Sequence, residues 1–298
     1  MLVASAEERL IVDPLLQRYD EFFAPLKRTH ETLLRTIVDD DVLKPLIHST
    51  RARIKDRAHL EDKLLRKMRE DAANGIAFDV VPDNLHTAIN DLAGIRILHL
   101  HSIQARDIHS RLDQLLRAEC GYQFLEGPEA RTWDIEYEAY FQKLGFATKV
   151  SKTLYTSVHY VIAVTLPKIM LTCELQVRTL AEELWGEVDH TFNYPHPTTS
   201  VPIHEQIRAL ARATSTAGRL ADAIFATMAD NEARSAVPTD AAVVLDDGVL
   251  TPAGDAGAAL AIANDGGAKA DRPKALAAQK KATPKKSKET PRARHRKK

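Results

Sequence analysis

Apolar side chains recur at helical spacing in the first 48 residues, as Leu10, Ile11, Leu15 and Leu16 and then as Leu33, Leu34 and Ile37, which predicts two helices. A third helix is expected in HLEDKLLRKMRED. Turn formers gather around Pro82 in GIAFDVVPDNLHTAIN, after which LAGIRILHL reads as a buried, β-branched strand. SIQARDIHSRLDQLLRAE is amphipathic, with Ile103, Ile108, Leu112, Leu115 and Leu116 along one side of a helix. From Gly121 to Leu154 the chain is polar, aromatic-rich and poorly periodic. SVHYVIAVTL and IMLTCELQVRT then read as adjacent strands, and TLAEELWGEVDHTF returns to helical spacing. A long helical stretch runs from Ile203 to Ser235, with a break marked at Thr216 and Gly218. The folded domain is expected to end near residue 235, and no internal repeat is found.

Composition changes this picture mainly beyond that point. Residues 236–271 are a low-complexity Ala/Gly/Asp segment, and 272–298 hold twelve Lys or Arg against one acid, Glu289. Neither stretch buries enough apolar surface to offset its ordering entropy, so 236–298 is expected to be a disordered linker and basic tail. The whole chain has a formal net charge of zero, so the residues before the tail carry the matching negative charge. No apolar run reaches the roughly 20 residues of a membrane span, and charges interrupt the N-terminus where a signal peptide needs its apolar stretch. A cytoplasmic protein without membrane contact is expected. Cys120 and Cys173 lack CxxC spacing, which points away from a disulfide framework or zinc site and toward ordinary core or half-buried residues.

Four segments carry candidate chemistry. In RARIKDRAHLEDKLLRKMR, Arg53 and Lys55 lead into a helix on which Lys63 and Arg66, three apart, share a face; converging cations suit a polyphosphate, and a solvated helix face has the same pattern. In NDLAGIRIL, Asp91 stands at the mouth of an apolar strand, where a carboxylate either ligates Mg²⁺ beside phosphates or serves as a turn residue. Arg96 interrupts the same apolar run and requires a partner or a pocket. In LYTSVHYVI, Tyr155, Ser157 and His159 follow period two and share one face, which fits base stacking or a polar outer strand face equally. In CELQVRT, Glu174, Gln176 and Arg178 alternate with apolar Leu175 and Val177. If the two strands pair, these six polar side chains form one surface, with an acid among cations as metal-assisted phosphoryl transfer requires.

In this order RIK with Lys63 and Arg66, DLAGIR, YTSVH, and ELQVRT with Trp185 and Asp189-His190 resemble the synthetase domain of the RelA/SpoT family of alarmone synthetases, and especially its small single-domain members. The resemblance spans residues 50–195. It implies an α/β (α+β) nucleotidyltransferase-like fold, a mixed sheet of about five strands surrounded by helices. Residues 1–48 would then pack as N-terminal helices on a synthetase domain at 49–235. It further implies that the 3′-hydroxyl of GDP or GTP attacks the β-phosphorus of ATP, releasing AMP and giving (p)ppGpp. By the same resemblance Arg53 and Arg96 sandwich the adenine, Lys55, Lys63 and Arg66 bind the triphosphate, and Asp91 and Glu174 hold Mg²⁺, with Glu174 also orienting and deprotonating the hydroxyl. Tyr155 stacks on the acceptor base, and His159, Gln176 and Arg178 support phosphate contacts.

The departures fall on acceptor binding. Glu183 stands where small synthetases commonly carry Asn or Asp, and as a carboxylate it accepts from guanine N1–H and N2–H. Leu154 replaces a frequent Gly, and the usual basic loop is replaced by EYEAYFQKLGFATKVSKTL, whose cations are Lys143, Lys149 and Lys152. These changes keep open a branch that modifies adenosine nucleotides or the 3′ end of tRNA, and a non-enzymatic reading remains, an RNA-binding protein that keeps the fold without turnover. The joint presence of Arg53, Lys55, Asp91, Tyr155 and Glu174 favours an enzyme. The family's hydrolase domain, with its adjacent His-Asp signature, does not fit in the stretch before Arg53, so synthesis without hydrolysis is expected. The tail at 272–298 is a candidate contact for RNA, tRNA or the ribosome, or a solubilising extension, and the helical stretch from Ile203 to Met228 is a candidate for homo-oligomer formation.

Overall fold

A computed structural model describes residues 2–235 apart from Lys152; the linker and basic tail, and Lys152 among the expected acceptor contacts, lie outside the described residues. The chain opens with helix α1, Ala6–Val38, started by a capping box in which Ser5 and Glu8 satisfy each other's backbone N–H. This one helix replaces the two expected. Its buried positions, Val12, Leu15, Leu16, Tyr19, Phe22, Leu26, His30, Leu33 and Ile37, recur every three or four residues without a gap, and that seam carries the helix past Pro14 and Pro25.

Strand β1 (Ser49–Ile54) and helix α2 (Arg57–Ala73) follow, then a single helical turn α3 (Leu85–Ala88) and strand β2 (Ala93–His99). The amphipathic segment forms α4 (Gln104–Leu112), which widens into a π-helical stretch over Asp113–Glu119. The region without clear periodicity proves to be ordered as β3 (Gln123–Thr132), α5 (Ile135–Lys143) and β4 (Ala147–Val150). Its alternation is masked because β3 slips register twice against its neighbour and β4 has only four residues. At the bulge, Gly127 has φ +82°, and a Cβ there would lie 2.1 Å from the His159 carbonyl oxygen, so only glycine fits. Strands β5 (Ser157–Leu166) and β6 (Ile169–Thr179) lead into α6 (Leu180–Asn193) and α7 (Val201–Ser235). Helix α7 runs unbroken: Thr216 bonds back to the Arg212 carbonyl at 2.9 Å, and Gly218 lies where a side chain would meet the Tyr137 hydroxyl.

The six strands form one mixed sheet in the order β1-β2-β6-β5-β3-β4, with β2/β6 and β3/β4 parallel and the other pairs antiparallel. This is the expected mixed α+β class, with six strands rather than about five. One face packs Ile95, Ile97, Val158, Tyr160, Leu175 and Val177 into the main core with α1 and α2. On the alternate positions the register aligns Arg51, Arg96, Gln176 and His159 in one row across four strands, with Arg53, Gly94 and Glu174 in the next. A second core of Trp185, Ile207 and Ala211 joins α6 to α7, and Trp185 Nε1 donates to the Ile207 carbonyl at 3.2 Å. Both cysteines are free, Cys173 in the core and Cys120 exposed rather than half-buried. Among the described residues no helix is long and apolar enough to cross a membrane.

Candidate active site

The polar rows of the sheet meet α6, whose capping box of Thr179 and Glu182 fixes its start at the end of β6. Above β1, β2 and β6 lies a cavity of about 280 Å³ lined by Arg51, Arg53, Arg96, Glu174, Gln176 and, from α6, Glu187. Asp91, two residues before β2, receives Lys63 Nζ at 2.6 Å on one oxygen and Lys55 Nζ at 3.0 Å on the other. Burial raises the Asp91 carboxyl, but the Lys63 and Lys55 charges outweigh it and hold the group below the usual carboxylate range. Arg66 bonds Asp62 at 3.1 Å, and its guanidinium lies 5.7 Å from the Tyr194 ring, with Lys55 Nζ at 6.0 Å from the same ring. Tyr194 thus draws Arg66 and Lys55 together, while Lys63 joins Lys55 through Asp91.

A second cavity of about 240 Å³ shares Arg96 and Gln176 with the first and adds Tyr155, Arg178, Asp189 and Asn193. The Tyr155 hydroxyl lies 2.8 Å from Ser157 Oγ and 2.9 Å from His159 Nε2, and the Arg178 guanidinium sits 5.6 Å from the Tyr155 ring. On the other side of its ring, His159 Nδ1 is 3.2 Å from Glu174 Oε1. Burial pushes the Glu174 carboxyl up, and the hydrogen bond and charge from His159 more than offset it, leaving Glu174 ionised. Burial drives the Tyr155 phenol up to about 12 despite the nearby Arg178 charge.

Glu183 departs from expectation. It is buried, lines neither cavity, and its carboxylate is taken by Arg178, by Arg96 at 3.2 Å and by Arg51 at 3.6 Å. Two elements that converge here, β6 and the first turn of α6, leave it facing arginines instead of an acceptor base. Gly186 makes room for this arrangement, since a Cβ there would stand 2.7 Å from Arg178 Nη1. The acids that α6 does present are Glu187 to the first cavity and Asp189 to the second, where Asp189 receives Asn193 Nδ2 at 2.8 Å. Glu187 also bridges two cations that stand opposite each other on β1 and β2, holding Arg96 at 2.5 Å and Arg51 at 3.1 Å. Arg51, Glu187 and Tyr194 escaped the sequence reading, and His190, which shares the α6 face of Glu187 and Tyr194, entered it only within a motif. Period two from Arg53 and the i, i+4, i+7, i+11 series from Glu183 are the signals that mark them.

Among the described residues no group of three or more His, Cys, Asp or Glu side chains is placed to hold a metal ion. Asp91 and Glu174 are two ionised carboxylates close enough to feel each other's charge. A pair of this kind suits Mg²⁺, which takes one or two protein carboxylates and completes its shell with substrate phosphates and water. The fold and site together define an α+β protein with a cationic double cavity, one of the paired acids, Glu174, in its wall and the other, Asp91, beside it.

The family model described as "Region found in RelA / SpoT proteins" matches residues 52–199, so the chain contains a region of that family. Comparison with curated proteins finds no match. Among solved structures, it is similar to small alarmone synthetase 1 from Bacillus subtilis at 19% identity and a TM-score of 0.49, covering 72% of this chain and 99% of that one. That enzyme bound to its product pppGpp gives 21% identity and a TM-score of 0.47, covering 72% and 98%. A GTP pyrophosphokinase family protein from Streptococcus pneumoniae gives 18% and 0.45, covering 78% and 97%.

Proposed function

We propose that the chain is an ATP:nucleotide 3′-pyrophosphokinase that transfers a diphosphate from ATP to the 3′-hydroxyl of GDP or GTP. The observation that carries this reading is that Arg53, Arg96, Glu174 and Tyr155 line two adjoining cavities, with the Lys55–Asp91–Lys63 cluster beside them, Lys55 Nζ 6.0 Å from the ring of Tyr194 in the second cavity's wall. The donor occupies the first cavity, its adenine between Arg53 and Arg96 and its phosphates toward Lys55, Lys63 and Arg66. The acceptor base stacks on Tyr155 in the second, with Arg178 and Gln176 toward its phosphates. Asp91 and Glu174 would hold Mg²⁺, which supplies neutralisation of phosphate charge. Glu174 takes the proton of the 3′-hydroxyl as its oxygen bonds to the β-phosphorus; the bond from that phosphorus to the bridging oxygen breaks, and AMP leaves with the electron pair. The protein's contribution is positioning and charge, as phosphoryl transfer demands.

The test is incubation of the full chain with γ-labelled ATP, Mg²⁺ and, separately, GDP, GTP, ATP and bulk tRNA, with Glu174→Gln as control. Label in a guanosine product that disappears in the variant supports the reading. Label on adenosine nucleotide or tRNA alone transfers the protein to that class of acceptor, and in the tRNA case removal of residues 272–298 should weaken transfer in a salt-dependent manner. Absence of any Glu174-dependent transfer refutes an enzyme.

A further inference from the structure

The imidazole of His159 is 7% exposed and has both nitrogens engaged within the site, Nε2 by the Tyr155 hydroxyl and Nδ1 by Glu174. Its position explains why. His159 pairs with Gln176 across β5 and β6, so Glu174, two residues back on β6, is its diagonal neighbour on the same face and within reach of a long side chain. The direction of the hydrogen bond to Glu174 follows from the groups at its two ends. An ionised carboxylate only accepts, so Nδ1, the ring nitrogen 3.2 Å from Glu174 Oε1, is the donor of that pair. Nε2 is engaged by the Tyr155 hydroxyl, which the Ser157 hydroxyl meets in turn. An acceptor phosphate would require an N–H from this ring, and both ring nitrogens already have partners within the site.

We infer that His159 is a positioning residue whose Nδ1–H holds the Glu174 carboxylate so that its other oxygen faces the donor cavity, and that it is not a phosphate contact. The inference rests on the pyrophosphokinase reading only for the identity of the hydroxyl that Glu174 meets. It also gives Tyr155 a second task, because the residue assigned to the acceptor base fixes, through His159, the group assigned to deprotonation. Ser157, 1% exposed, anchors the far end of the chain.

Two measurements test this, one of them independent of turnover. In protein labelled with ¹⁵N-histidine, long-range correlation spectra should show His159 protonated on Nδ1; an Nδ1 without a proton overturns the proposal whatever the enzyme does. In kinetics, His159→Asn sets an amide N–H near the former Nδ1, whereas His159→Gln sets its amide near the former Nε2. The expected result is kcat within about tenfold of the parent for Asn and about 10²-fold lower for Gln, the loss typical of a catalytic group displaced by an ångström. KM for the acceptor and affinity for a non-hydrolysable ATP analogue should stay unchanged in both. A raised acceptor KM with kcat intact overturns the inference in favour of a phosphate contact. If the parent protein transfers to no acceptor, the proposed function fails and the spectrum alone decides the hydrogen-bond arrangement.

Discussion

Asp91 binds two ammonium groups that differ in their exposure to water: the Lys55 side chain is 5% exposed and that of Lys63 is 31%. The two should therefore separate binding from stability. Lys63→Met removes a partly hydrated charge from an acid that keeps Lys55, so the melting temperature should move by no more than about 2 °C while kcat/KM for ATP falls at least about tenfold. Lys55→Met empties the buried side of the same carboxylate and should cost about 1–2 kcal/mol as well, which thermal denaturation would register as a drop of about 2–8 °C. Residues of this sort were legible because short motifs combine type and order: an Asp at a strand mouth, an Arg within an apolar strand, and alternating Glu, Gln and Arg. Glu183 lies away from both cavities for a physical reason. Its side-chain chemistry suits a base edge, but only the docking of α6 on β1 and β2 reveals that Arg51, Arg96 and Arg178 reach it first. Asp189 was visible within a motif, yet its facing the Tyr155 cavity depends on the same docking.

At the scale of elements, α6 is held at its start by Thr179 and Glu182, and Glu182 performs this task half-buried. Burial drives its carboxyl up to about 7 from an ordinary 4.5, with the Thr179 backbone hydrogen bond pulling the other way. A raised carboxyl binds its proton more tightly in the folded chain, so folding is favoured most below about pH 4.5 and loses stability as pH rises toward 7. Glu182→Gln keeps the capping geometry without the charge. It should match the parent near pH 4.5 and exceed it by on the order of 1–2 kcal/mol at pH 8, a divergence that parallel thermal melts would detect and whose absence would contradict the burial argument. Helices and central strands were legible as elements because their periods are long and regular. The stretch β3-α5-β4 was not, since a bulge needing Gly127 and an edge strand of four residues erase the alternation. The two prolines of α1 misled in the opposite sense, because an uninterrupted buried seam outweighs the backbone bonds they remove.

Across the whole molecule, the matched family region begins after α1, yet α1 braces the floor of the first cavity. The Tyr19 hydroxyl donates to the Lys55 carbonyl, and His30 Nε2 lies 3.1 Å from the carbonyl of Gly94, so the strand ends that carry Lys55 and Asp91 rest on this helix. Helix α7 braces the opposite side, gripping α6 through Trp185. Between these supports the two cavities are not separate rooms, for Arg96 and Gln176 belong to both walls. Arg96 cannot reorient toward one occupant without changing what it offers the other. Under the proposed function the two nucleotides would thereby be thermodynamically linked: a non-reactive donor analogue should change the dissociation constant of the acceptor, and the acceptor should change that of the analogue by the same factor. Calorimetric titrations run in both orders would reveal it, and equal affinities with and without the companion would mean that the shared arginine transmits nothing.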